Sequence, residues 1–214
     1  MSGIGAVMNE LKINEQRKKE FLDKFEECNE KWLEENNKAD KKGKKKYDLE
    51  AYFKVVRDKD KKPFTKEQIE EMLLWKYRKE KEKLKNKNLL GVIRKAKSQI
   101  NTINLFKENE QSEEWFDKTS NELITKQPVT RIFLKHMCKP DKFAIFDRFV
   151  LKSFLFLHNI NKKAETPTPS DERKYYKKYN EFFKEVCKEK NKESLRERKE
   201  IDNALMYYGK YCID

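Results

Sequence analysis

Apolar residues recur at helical spacing along most of the chain. Phe21, Leu22, Phe25, Cys28, Trp32 and Leu33 share one side of a 3.6-residue period, which predicts an amphipathic helix over 15–36 after a flexible N-terminus at 1–14. In "KPFTKEQIEEMLLWKYRKEKEKLK", Thr65 is placed to cap a helix, Gln68 completes a capping box, and Phe64 can staple to Ile69. That helix is predicted over 66–85, with Ile69, Met72, Leu73 and Trp75 on its apolar side, and further helices are predicted over 88–106 and 112–122. After "TPTP", Ser170 with Asp171 and Glu172 opens another, carrying Tyr175, Tyr179, Phe182, Phe183 and Val186 on one face. A last helix over 194–208 presents Leu195, Ile201, Leu205 and Met206 and is expected to stop near Gly209 as its C′ residue. No alternating strand pattern of any length and no internal repeat is present. The reading is an all-α fold in which 15–214 form a single multi-helix domain.

Between residues 120 and 157 the pattern becomes more specific. In "NELITKQPVTRIFLKHMCKPDKFAIFDRFVLKSFLFL" a helix ends near Glu122, a short connection holds Pro128, and a second helix over 129–138 is broken by Pro140. An extended piece, "KFAIF", then delivers Asp147 to the start of a helix whose Phe149, Val150, Leu151, Phe154 and Leu155 enter the core. An aspartate there has two readings. It caps backbone N–H groups at the positive end of the helix dipole, or it serves chemistry in a cleft.

Charge widens the range of partners. With 51 basic against 38 acidic residues the chain carries a net +13, which steers it toward polyanions, nucleic acid foremost. The run "KADKKGKKK", with six lysines and a glycine, reads as a solvated lysine-rich loop at 38–46 that could touch phosphates. The four cysteines, Cys28, Cys138, Cys187 and Cys212, lie far apart with no CxxC pair, as expected of a reduced, intracellular compartment. The opening apolar patch is too short for a signal peptide. "FVLKSFLFL", the longest apolar run, falls far short of the roughly 20 residues that span a bilayer. A cytoplasmic or nucleoid-associated protein with no membrane attachment is expected, and a monomer is assumed.

The stretch "PDKFAIFDRFV" resembles the signature of the helix-hairpin-helix DNA glycosylases. It is closer still to the prokaryotic proteins of 8-oxoguanine-glycosylase fold, in which a proline is followed by an aspartate that opens a helix. "LLWKYR", with its Trp75-Lys76 pair, and "EIDNALMYYGKY" are similar to further segments of that group, so the resemblance spans about residues 65 to 211. It implies a helix-hairpin-helix-like element and a DNA partner, a duplex with a modified or damaged base. It also implies an N-glycosylase of the base-excision type that needs no cofactor. Asp147 would stabilise the oxocarbenium-like sugar or activate a water. Trp75, Lys76, Met206, Tyr207 and Tyr208 would line the pocket for the flipped base; the two tyrosines are also read as core or surface residues. Lys126, Gln127, Arg131, Lys135, Lys139, Lys142 and Arg148 would face DNA.

The chain also departs from that family. Its hairpin "ITKQPVT" has no glycine to let backbone N–H groups approach a phosphate, leaving Lys126 and Gln127 to make side-chain contacts. "PVTRIF" has no lysine where bifunctional members place their nucleophile, so a monofunctional enzyme is expected unless Lys126 or Lys135 substitutes. His136 and His158 have no Ser or Cys partner nearby in sequence, and His136 with Cys138 is a lone pair without a second pair of metal ligands. No metal is expected. Two other classes stay open: a catalytically inactive DNA-binding module of the same fold, and a basic helical protein that binds other proteins.

Overall fold

The computed structural model describes residues 12–38, 48–56, 62–77, 87–108, 110–161 and 166–213, and all the regular secondary structure among them is helical. The helices are α1 (Glu15–Asp23), α2 (Phe25–Asn37), α3 (Leu49–Val56), α4 (Lys66–Tyr77), α5 (Lys87–Ser98), α6 (Ile100–Lys107), α7 (Glu113–Leu123), α8 (Pro128–Cys138) and α9 (Arg148–Leu157). A short turn α10 (Pro169–Asp171), a π turn (Glu172–Tyr176), α11 (Lys177–Glu189), α12 (Leu195–Tyr207) and a second π turn (Tyr208–Cys212) complete the order. None of the described helices is long and apolar enough to cross a membrane.

The apolar stripes become one core. Phe21, Phe25, Cys28 and Trp32 of α1 and α2 are buried with Ile69, Met72 and Leu73 of α4, and with Val150, Leu151, Phe154 and Leu155 of α9. From α11, Tyr179, Phe182, Phe183 and Val186 join them. α12 sits at the centre, packed most extensively on α2 and also on α9 and α11. Its stretch Ile201–Met206 is buried on every side, which suits a helix enclosed by neighbours.

Capping explains several boundaries. Thr65 and Gln68 form the expected capping box on α4: the Gln68 amide donates to Thr65 Oγ1 at 3.2 Å and the Thr65 amide to Gln68 Oε1 at 2.9 Å. Ser194 and Glu197 form another on α12. Pro128 occupies the first turn of α8, where its missing N–H costs nothing.

Other expectations change. The helix expected over 15–36 breaks at Lys24 (φ −92°, ψ 3°), whose amide turns back to Glu20 O and Leu22 O. The 88–106 helix divides in the same way at Gln99. Asn14 is anchored, capping α1 through Arg17 N and donating its amide to Leu157 O at 2.8 Å, while residues 1–11 lie outside the described residues. Most of the lysine loop, residues 39–47, and the 78–85 end of the α4 prediction also lie outside them. Helix α3 has no counterpart in the sequence reading. The cap before α11 is Thr168 with Asp171, not Ser170, because Pro169 takes the first helical position and sets the register.

Gly209 does not end α12 as a C′ residue. It lies inside the second π turn, and a Cβ built on it would stand 2.1 Å from Phe149 O and 2.6 Å from Ser153 Oγ. Glycine is required by the close approach of this turn to α9, not by a left-handed backbone.

Candidate functional site

Asp147 both caps α9 and borders a pocket. Its Oδ1 accepts from the amides of Phe149 (3.0 Å) and Val150 (3.1 Å), capping α9. That leaves Oδ2, which faces Lys76 Nζ of α4 at 3.9 Å. The carboxylate is therefore held by the helix start and still looks into a pocket, with its side chain 20% exposed.

The pocket is lined by Trp32 of α2, Trp75 and Lys76 of α4, Ile145 and Asp147 of the extended segment, and Lys199, Asp202 and Met206 of α12. It is a narrow recess: the 270 Å³ or so between its walls includes the open solvent at its mouth, and its interior has room for about one water molecule. The α12 residues stand at i, i+3 and i+7, so one face of that helix supplies them all. Lys199 and Asp202 form a buried ion pair, with side chains 5% and 6% exposed. Lys199 Nζ also lies 5.6 Å from the Trp32 ring, 5.8 Å from Tyr52 and 5.9 Å from Trp75. Asp202 Oδ1 is buried without a hydrogen-bond partner. Burial pushes the Asp202 carboxyl up; Lys199 opposes the shift and the nearby Asp147 charge adds to it.

A rigid aromatic stack supports one wall. Trp75 lies on Tyr52 (centroids 4.9 Å apart) and on Phe133 (6.0 Å), and its indole N–H donates to Asp48 O at 2.7 Å. Tyr52 OH donates to His136 Nε2 at 2.5 Å, and His136 Nδ1–H donates to Phe143 O at 2.7 Å. His136 thus links α3 and α8 to the segment that carries Ile145 and Asp147. Burial lowers its pKa from 6.5 to about 3. Because the unfolded chain takes up this proton near pH 6.5 and the folded chain only near 3, stability falls as pH drops through that window. Between pH 7 and 4.5 the protein is expected to lose about 2–3 kcal/mol more than a His136→Gln variant, as read by urea unfolding at the two pH values.

Of the expected pocket residues, Trp75, Lys76 and Met206 are brought together with Asp147. Tyr207 and Tyr208 are not. Tyr207 is half-buried against the Tyr211 ring, and Tyr208 packs in the core against Phe21 and Phe156. Trp32, Ile145, Lys199 and Asp202 were missed by the sequence reading. Nothing local in the sequence marked Lys199 and Asp202 as buried.

The residues expected to face DNA divide into two groups. Lys126, Gln127, Lys142 and Arg148 are exposed, and Lys139 is half-buried with its ammonium 3.9 Å from the Phe106 centroid. Arg131 and Lys135 are not surface residues. Lys135, only 1% exposed, pairs with Glu113 and Asp117 of α7, Nζ standing 2.6 Å from Asp117 Oδ1. Arg131 is paired with Glu172, and it donates to Asn121 Oδ1 at 2.9 Å and to Thr125 O at 3.3 Å. It thereby closes the glycine-free α7–α8 turn from inside by satisfying a turn carbonyl.

No family model, curated protein or solved structure matches this chain. Its own geometry carries the functional argument.

His136 and Cys138 do not converge on a common point, since Cys138 Sγ turns to Ile103 O. No cluster of three or more metal-ligating side chains occurs among the described residues.

Proposed function

We propose that the protein is a monofunctional DNA N-glycosylase that draws a modified or damaged base into the pocket beside Asp147. The observation that carries this reading is the division of labour at Asp147, one oxygen fixed by the α9 amides and the other facing an aromatic-walled pocket. The order α7, tight turn, α8, extended segment, Asp147 supports it as well. This is the chain order of a helix-hairpin-helix element followed by its catalytic acid, as the sequence resemblance implies.

The chemistry follows from where charge develops. As the C1′–N bond stretches, the sugar becomes oxocarbenium-like, and a carboxylate preorganised at the helix start stabilises it without having to reorient. The same Oδ2 can instead take a proton from an attacking water. The Lys76 ammonium stands beside Asp147 as a proton donor for the departing base. Trp32, Trp75 and Met206 provide the flat apolar seat, and the unpaired Asp202 Oδ1 supplies an acceptor for a base N–H. Lys126, Gln127, Lys139, Lys142 and Arg148 would contact the backbone, so affinity would fall steeply with salt.

A panel of duplexes carrying oxidised, deaminated, alkylated and hypermodified bases, scored for alkali-labile sites, tests the reading. Release of at least one base supports it. Salt-sensitive duplex binding with no release from any duplex would favour the inactive module, a reading to which the glycine-free turn gives weight.

A further inference from the structure

Tyr175, Tyr176, Tyr179, Phe182 and Phe183 face the core along one side of the first π turn and α11, which leaves the opposite side in solvent. That outer side changes character half-way along. Its first two turns expose Arg173 and Lys174, then Lys177 and Lys178, all of them cations. Beyond Glu181 each exposed turn balances a lysine against a glutamate, Lys184 with Glu185 and Lys188 with Glu189. A lysine-rich composition acts on both halves alike and does not account for the difference. Nor does ion pairing: among the described residues Arg173, Lys174 and Lys177 have no carboxylate partner, and Lys178 reaches Glu181 only at 3.8 Å. Like charges one turn apart on a helix repel, so the fold itself gains nothing from this arrangement. The same helix also holds the segment that leads to Asp147. Asn180 Nδ2 donates to Lys142 O at 2.7 Å, the Ala144 amide donates to Asn180 Oδ1 at 2.9 Å, and Tyr176 OH donates to Ala144 O at 3.1 Å. Lys142 is exposed, and Lys177 stands three positions before Asn180, on the same side of α11.

We propose that Arg173, Lys174, Lys177 and Lys178, with Lys142 beside them, form a docking surface for the phosphate backbone of duplex DNA. Charge complementarity selects this occupant: a row of cations on a rigid helix neutralises a regular row of phosphates and releases their counterions. The exposed positions of these two turns carry no aromatic or apolar side chain, so the surface supplies affinity and position and reads no base. The bonds from Asn180 and Tyr176 tie it to the extended segment, so a backbone seated on α11 is held against the element that ends in Asp147. The inference rests on duplex DNA being the partner and not on base excision.

Binding of the full chain to an undamaged duplex of about 20 base pairs is measured by fluorescence anisotropy between about 50 and 200 mM salt. The double variant Lys174→Gln/Lys177→Gln is compared with Lys184→Gln/Lys188→Gln, which removes the same charge from the balanced half of the same helix. The first is expected to bind about tenfold more weakly at about 100 mM salt, with the slope of log affinity on log salt shallower by about 2. The second should stay within about twofold of the wild type. All four positions are exposed, so both variants should melt near the wild type. Equal losses in the two variants would be a response to overall charge and would overturn the proposal. Wild-type binding that neither variant weakens would overturn it too, while leaving the DNA reading in place. A wild type that ignores the duplex, or takes up vesicles of an anionic lipid in its place, would overturn both.

Discussion

Asp147→Asn is expected to cut base release at least about a hundredfold while leaving the protein folded. Asparagine caps a helix about as well as aspartate, so its side-chain oxygen can keep the bonds from the Phe149 and Val150 amides. What it removes is the negative charge on the oxygen facing Lys76. Loss of the charge–dipole term should cost about 0.3–1 kcal/mol of stability, too little to unfold a domain of this size. Single-turnover release measured beside a thermal melt separates the two effects. A variant that melts near the wild type yet releases base as fast would remove Asp147 from the chemistry.

Gly209→Ala is expected to be the most damaging small substitution outside the pocket, costing about 3 kcal/mol or more. The added carbon meets Phe149 O at 2.1 Å and Phe149 C at 2.9 Å, both backbone atoms of the first turn of α9. Its third neighbour, Ser153 Oγ, is already committed, donating to Leu205 O at 2.6 Å. None of these is the free end of a flexible side chain, so the turn and α9 must move apart. That movement begins two residues from Asp147 and should lower activity with stability. Gly91 is the internal control, because nothing lies within 4 Å of a Cβ built there. Gly91→Ala within α5 should stabilise the protein by about 0.5–1 kcal/mol. Thermal melts of the two variants are expected to move in opposite directions.

How much was legible in the sequence depends on how local each signal was. The α7–α8 connection and Asp147 at the start of α9 were readable, because prolines, a cap residue and an apolar run act within a few residues of one another; Pro128, read as part of the connection, is instead the first residue of α8. The capping box at Thr65 was readable for the same reason. Lys199 and Asp202 were not. A lysine and an aspartate three apart look like a solvated pair, and only the packing of α2, α9 and α11 around α12 places them in the interior. Arg131 and Lys135 were misplaced for the same reason. Their partners Glu113, Asp117 and Glu172 come from other elements, and nothing on α8 itself distinguishes a buried cation from one facing solvent. The four-residue spacing of Glu113 and Asp117, repeated by Arg131 and Lys135, was the one hint that two helices were paired through charge.

The central claim is that Asp147 stabilises positive charge on a deoxyribose brought into this pocket, and it can be tested without knowing the target base. Binding is measured to two duplexes that differ at one position, where a cationic pyrrolidine or an uncharged tetrahydrofuran replaces the sugar. Wild-type protein is expected to hold the cationic duplex at least about tenfold more tightly, and Asp147→Asn to lose that preference. Equal affinities in the wild type, or a preference that survives in the variant, would contradict the account.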